Sequence, residues 1–141
     1  TMYPLTDKLY VSAQVSPADL AEAAALGINT LIGNRPDGEE PQQPDWATVA
    51  AWAAAAGIEH QIHQPVTAPT LNSHDAERFA TAVAAADAPV LAYCRTATRC
   101  CLLWALDAVA HGTPVDDAIQ HAARAGVDLS SQAARLQAAA Q

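Results

Sequence analysis

The stretch from Pro89 to His111 constrains this chain more than any other. Pro89-Val90-Leu91-Ala92-Tyr93 is an unbroken apolar run of strand length, and the segment after Arg99 is apolar nearly all round, with Asp107 its one charge. A strand that is apolar on both faces belongs in the middle of a parallel sheet. A helix without a polar face must be covered by the rest of the chain. Between the two lies a short polar loop, Cys94-Arg95-Thr96-Ala97-Thr98-Arg99. The fold therefore has to bury strand and helix together and carry the loop where one passes into the other.

The remaining sequence alternates strand and helix. Leu9 to Ala13 reads as a strand. Ser16 is an N-cap followed by Pro17 at the first helical position and Asp19 in the first turn, and this helix stops at Gly27. Ile28 to Ile32 is a short buried strand. Residues 34–44 carry three prolines and three acids and form a long exposed loop. Asp45 caps a helix from Trp46 to Ala56, which ends at Gly57. Ile58 to His63 alternates as a half-buried strand with Ile58, His60 and Ile62 on one face. After a loop at 65–72, Ser73 caps a helix from His74 to about Ala86. Thr113-Pro114 caps another helix that ends at Gly126, and a last helix covers roughly 130–140. No repeat or linker divides the chain, so residues 1–141 form a single domain. Its expected fold is α/β, with a parallel-rich sheet of about four to five strands flanked by helices on both faces.

Composition limits the partners. Half of the 141 residues are hydrophobic, yet there is one Phe, so alanine-rich helical layers rather than an aromatic core are expected. Trp46, Trp52 and Trp104 are assigned to that core. The net charge of -8 disfavours nucleic acid and anionic membranes. No run approaches a membrane span, and no basic segment precedes an apolar one as in a secretory leader. Three cysteines, Cys94, Cys100 and Cys101, sit together and make no disulfide framework, so a reducing, cytoplasmic setting is expected. His60 and His63, three apart in a strand, face opposite ways and cannot share a metal. His111 and His121, near helix ends, are read as solvated. No glycine-rich nucleotide loop is present, and no metal or organic cofactor is called for.

The chemistry concentrates in the loop at Cys94. In a parallel sheet, ligands bind beyond the carboxyl ends of the strands, and Cys94 occupies that position. Amides of the loop and of the first helical turn make an anion nest. The positive helix end and Arg99 lower the cysteine pKa and favour the thiolate. Arg99 offers a planar fork to a tetrahedral oxyanion, with Arg95 beside it, while Thr96, Ala97 and Thr98 line the cradle. A nucleophile with an oxyanion cradle is equipped for covalent group transfer.

The loop with its preceding strand resembles that of the protein tyrosine phosphatase superfamily. More closely, Leu9–Gln14, Leu26–Asn29, Asn34–Glu40, Pro65–Thr67 and Val90–Arg99 running into Leu102–Ala105 resemble the phosphatase-like domain of bacterial beta-lactamase hydrolase-like proteins. The first half is also similar to dual-specificity phosphatases, which implies their fold. The resemblance implies attack of Cys94 on phosphorus and a substrate bearing phosphate, a phosphoprotein included. Arg35 would add a second positive contact to that substrate, or pair with Glu39 or Glu40.

The sequence also departs from that superfamily. Four residues separate Cys94 from Arg99 where the wider superfamily has five, a length that resembles rhodanese-type sulfurtransferases. Ala97 stands where glycine is usual, at a cost on the order of 1 kcal/mol if φ is positive there. Cys100 replaces the usual Ser or Thr after the arginine: either turnover is impaired, or Thr96 or Thr98 substitutes, or Cys100 and Cys101 have a redox role. The general-acid positions hold Thr67 and Ala68, which leaves Asp37 as the expected acid, with Asp75 and His63 behind it. Three readings follow: a phosphatase, a sulfurtransferase carrying a Cys94 persulfide on a sulfur-containing substrate, and an oxyanion-binding module without turnover.

Overall fold

The computed structural model describes residues 1–141. Five strands, β1 (Met2–Pro4), β2 (Leu9–Ser12), β3 (Thr30–Gly33), β4 (His60–His63) and β5 (Val90–Tyr93), form one sheet in the order β1-β2-β5-β3-β4. All neighbours are parallel except β1, which pairs antiparallel with β2. The apolar run 90–93 is thus the central strand, as its composition requires. Strand β1 escapes the sequence pattern because it is three residues long, ends in proline and lies at the sheet edge.

The alternation of side chains along the strands divides the core. Val90, Ala92 and Ile32 point into the larger cluster, beneath α3 (Ser73–Ala85), α4 (Thr98–Ala110), α5 (Val115–Arg124) and α6 (Ala133–Ala139). Leu91, Tyr93 and Leu31 point into the smaller one, beneath α1 (Pro17–Ala25) and α2 (Trp46–Ala56). Helix α4 buries seven residues from Cys100 to Val109, in keeping with its nearly all-apolar sequence. Adjacent strands β3 and β5 lead into helices on opposite faces, so their carboxyl ends mark the switch point of the sheet. Gly33, Tyr93 and Ser12 are in register there, so Asn34, Cys94 and Ala13 emerge side by side.

Most helix starts form as read. Ser16 and Asp19 make a reciprocal capping box, and Asp45 caps α2. Asn72 rather than Ser73 caps α3, because its side chain accepts from Asp75 N and Asp75 returns the bond. Thr113 makes no capping bond: α5 starts after Pro114 without one. The last helix begins as a 3₁₀ turn, Ser130–Gln132. Ile58 and Ile62 do not share a face. Ile58 lies ahead of β4 in the α1–α2 cluster, whereas Ile62 packs against the other, and His60 is exposed. The three tryptophans are half-buried at the edges of the clusters. His121 is not solvated: it bonds the Leu5 carbonyl and lies 4.8 Å from the Trp104 ring. No helix is long and apolar enough to cross a membrane.

Gly33 is required by close approach. A Cβ there would lie 2.6 and 2.7 Å from the Trp46 ring, which is itself stacked on His63. We expect Gly33→Ala to destabilise the domain by about 1–3 kcal/mol through overpacking, measured as the change in urea midpoint; an unchanged midpoint would show that the Trp46–His63 stack yields freely.

Candidate active site

Strand β5 carries the chain to Cys94, whose N–H donates to Ser12 O at 3.3 Å. The next residues lie against the end of β2: Gln14 N–H donates to Arg95 O, and Ala13 bridges Thr96. The Thr96 and Thr98 hydroxyls bond each other at 3.1 Å. Ala97 then turns the chain into α4 with φ +72, the one non-glycine residue with positive φ. A methyl in that conformation costs about 1–2 kcal/mol, and the same methyl is buried, which returns about 0.8 kcal/mol. Alanine is therefore a tolerable replacement for glycine here.

Ala97 cannot cap a helix, and no side chain accepts the first amides of α4. They turn to the cysteine. The surroundings supplied by Cys100 and by the backbone amides of Cys100, Thr96 and Arg99 bring the Cys94 pKa down to about 6, against the opposing effect of burial. Cys94 thus sits as a thiolate at neutral pH in a ring of donors. Burial and the adjacent thiolate push Cys100 well above its ordinary value, and burial lifts Cys101 to about 12. All three cysteines are free. Cys100 and Cys101 keep their protons at neutral pH, which makes them poor partners for the redox role suggested by their position.

Arg99 stands in the first turn of α4. Its Nη1 and Nη2 donate to the two oxygens of Glu39, each at 2.8 Å, and Nη1 also donates to Val66 O at 2.9 Å. This bidentate contact holds the Glu39 carboxyl below its ordinary pKa. It leaves Nε–H and the second Nη2 hydrogen without a protein partner, and these lie together on one edge of the guanidinium. Val66 is held in turn: Arg135 of α6 donates to the carbonyls of Ala68 and Leu71 in the same loop.

Arg35 is buried and paired. It is 4 % exposed and donates to Glu39, Gln14 and Glu40 at 3.0, 2.9 and 2.7 Å. A buried guanidinium has to be paired in this way, so of the two roles weighed for Arg35 the structure has the pairing one. Arg95 remains accessible, with its side chain 58 % exposed and its nearest acid, Glu40, at 3.6 Å.

The expected acid is also engaged elsewhere. Asp37 accepts from Trp46 N–H at 2.8 Å and serves the start of α2. Asp75 closes the α3 capping box, and His63 bonds Arg35 O at 3.1 Å. Each of these three side chains bonds a backbone group. Two residues outside the sequence reading belong to the site. Glu39, which the sequence offers only as a partner for Arg35, also holds Arg99. Asn34, fully buried, accepts the Cys100 thiol at 3.3 Å. The dense run Asn34-Arg35-Pro36-Asp37-Gly38-Glu39-Glu40 is the available signal; which acid meets which arginine depends on the loop's path. No three metal-ligating side chains gather anywhere in the structure.

The site is thus a buried cysteine between the central parallel strand and an uncapped helix. A profile of the beta-lactamase hydrolase-like protein, phosphatase-like domain, matches residues 2–111, and the chain belongs to that family. It is 34 % identical over 116 residues to the beta-lactamase hydrolase-like protein of Agrobacterium fabrum, an alignment covering 82 % of this chain and 26 % of that one. The chain therefore spans about a quarter of that relative's length. A crystal structure of a candidate phosphatase from Neisseria meningitidis is similar with TM-score 0.92 and 48 % identity, covering 96 % of this chain and 95 % of that one. Pseudomonas aeruginosa TpbA, crystallised as a cysteine-to-serine variant with phosphotyrosine, shares the fold at TM-score 0.68 and 20 % identity, covering 85 % and 70 % of the two chains.

Iodoacetamide is expected to modify Cys94 alone, at a rate that rises with pH about a midpoint near 6 as the thiolate fraction grows. A midpoint near 9, the ordinary value, would mean that the ring of donors does not stabilise the anion.

Proposed function

We propose that this domain is a cysteine-dependent phosphatase acting on phosphate monoesters. The observation that carries the reading is the free edge of Arg99, in the first turn of the helix that follows Cys94. Glu39 occupies the end of the guanidinium and fixes its plane. The remaining two donors, with the unfilled capacity of the loop amides, suit the equatorial oxygens of a phosphoryl group. Cys94 attacks phosphorus, the ester oxygen leaves, and a cysteinyl phosphate forms; water then displaces the thiolate and releases phosphate. Membership in a phosphatase-like family supports this, as does phosphotyrosine as the ligand of a protein with the same fold.

Asp37 and Asp75 accept from backbone amides and Glu39 and Glu40 pair with arginines, so in this reading the leaving oxygen departs without a strong proton donor. Such an enzyme favours esters whose alcohol is already a good leaving group, aryl phosphates and phosphotyrosine above alkyl phosphates. We expect Asp37→Asn to change kcat by less than about threefold, where loss of a general acid costs about 100-fold or more. Steady-state rates across aryl phosphates of rising leaving-group pKa should fall steeply and in parallel for both proteins. A drop confined to the variant and to poor leaving groups would return Asp37 to the role of acid.

The same lack of an acid favours a second reading, sulfur transfer. The Cys94 thiolate would attack the sulfane sulfur of a donor such as thiosulfate, breaking its S–S bond and releasing sulfite, and the resulting persulfide would give its outer sulfur to a thiol or cyanide and return the thiolate, with no leaving oxygen to protonate. The six-residue span from Cys94 to Arg99 suits it equally. The deciding assay sets an aryl phosphate beside thiosulfate with cyanide, using the parent, Cys94→Ser and Arg99→Lys. Phosphate release that Cys94→Ser abolishes and Arg99→Lys lowers by about 100-fold is the expected result. Cys94-dependent thiocyanate without phosphate would establish the second reading instead.

A further inference from the structure

Arg35, Arg78, Arg95 and Arg99 each meet a carboxylate. Arg135 of α6 is used differently. Its Nη1 donates to Ala68 O at 2.7 Å and to Gln132 Oε1 at 3.2 Å, and its Nη2 donates to Leu71 O at 2.6 Å. A planar fork that takes two backbone carbonyls at once fixes the path of the chain between them. That chain belongs to the loop 64–72 between β4 and α3, and it has few other ties. Thr67 to Thr70 are exposed. Thr67 O accepts from the N–H groups of Thr70 and Leu71 at 3.3 and 3.0 Å, which closes a single turn. At the near end, Val66 N–H donates to Asn34 O at 3.0 Å, and Asn34 N–H donates to Tyr93 O at 2.9 Å. The loop is therefore held at the sheet through Val66 N–H and at α6 through Ala68 O and Leu71 O. Val66 O, which faces Arg99, lies between the two anchorages.

That carbonyl matters to Arg99 because of how the guanidinium is held. One hydrogen of Nη1 goes to Glu39 Oε2 at 2.8 Å and the other to Val66 O at 2.9 Å. Nη2 donates to Glu39 Oε1 at 2.8 Å. Glu39 fixes the plane, but it comes from the exposed loop 34–44, and a carboxylate there would pivot together with the arginine it binds. Val66 O is the acceptor that stops the pivot. A backbone carbonyl cannot be changed by substitution, so the sequence governs this contact through the side chain that holds the loop.

We propose that Arg135 is a positioning residue for Arg99: by holding Ala68 and Leu71 it sets where Val66 O meets the guanidinium, and so where the free edge of Arg99 points. The inference rests on Arg99 as the anion-binding group of the reading above. It adds that the aim of this group is set from the carboxyl-terminal helix, by a residue that acts only through the loop.

The first measurement uses no substrate, so its result stands whether or not phosphate is hydrolysed. Exchange of the Arg99 guanidinium hydrogens with solvent is followed by nitrogen-15 NMR in the parent, Arg135→Gln, Arg135→Lys and Val109→Ala. Arg135→Gln cannot span both carbonyls, and it should speed the exchange by about tenfold, the effect of losing one hydrogen bond to a charged group. Arg135→Lys keeps the charge and one of the bonds, and it should speed the exchange by about threefold, which also serves if Arg135→Gln fails to fold. Val109→Ala truncates the core about 15 Å further along α4 and controls for general loosening; its exchange should stay within about twofold of the parent's. An unchanged rate in the Arg135 variants, or an equal rise in Val109→Ala, overturns the proposal. With an aryl phosphate, Arg135→Gln should lower kcat/KM by about tenfold, chiefly through KM, with Arg135→Lys restoring part of the loss. A kcat/KM equal to the parent's overturns the proposal as well. Absence of turnover in every protein, the parent included, defeats the phosphatase reading instead, and the exchange rates then decide the role of Arg135 alone.

Discussion

The uncapped start of α4 is the constraint from which the site follows. A helix leaves its first amides without partners, and α1, α2 and α3 answer with Ser, Asp and Asn. Here the chain enters through Ala97, which has nothing to offer. The acceptor is supplied from the preceding strand instead, by the sulfur of Cys94. One arrangement therefore meets two needs. The helix end gains a negative partner, and the thiol becomes ionised at neutral pH. Because β5 is the central strand and α4 the most buried helix, the geometry is held by the best-packed part of the molecule.

Charge around this centre is arranged to be nearly self-cancelling. Arg35 and Arg99 share the carboxylate of Glu39, and Arg35 and Arg95 share that of Glu40. Three cations without these acids would bind anions indiscriminately and repel one another at short range. With them, Arg35 is internal scaffolding, and one edge of Arg99 and the exposed Arg95 remain to be used. Selectivity in such a site comes from direction rather than from net charge, which is consistent with an oxyanion cradle in a chain of net charge -8.

Much of this is legible in the sequence for physical reasons. The central strand, the buried helix and the nucleophile stand out because burial on all sides demands unbroken apolar runs, and because Cys94 interrupts them at the one point where a ligand can enter. The positive φ at Ala97 can be foreseen only as a condition, since alanine itself carries no signal of it. What stays hidden are the pairings across the loop 34–44. Asp37, Glu39 and Glu40 are chemically alike and close in sequence, and only the folded path sends one to a backbone amide, one to Arg99 and one between Arg35 and Arg95. Asn34 is equally silent, because a buried amide at a strand end looks like any turn residue until its two ends are seen to face Gln64 and Cys100. His121 defies its sequence reading because proximity to a helix end says nothing about the N-terminal loop folded over it.

Arg135 gives the C-terminal helix a part in the chemistry that its distance along the chain conceals. It grips Ala68 and Leu71, the loop it grips presents Val66 O, and Val66 O steadies Arg99. Yet the region matched by the family profile closes at residue 111. The segment bearing the family signature is therefore not mechanically self-sufficient. Its Arg99 leans on a brace recruited from sequence outside the signature, and relatives that differ there would hold the same loop with a different stiffness.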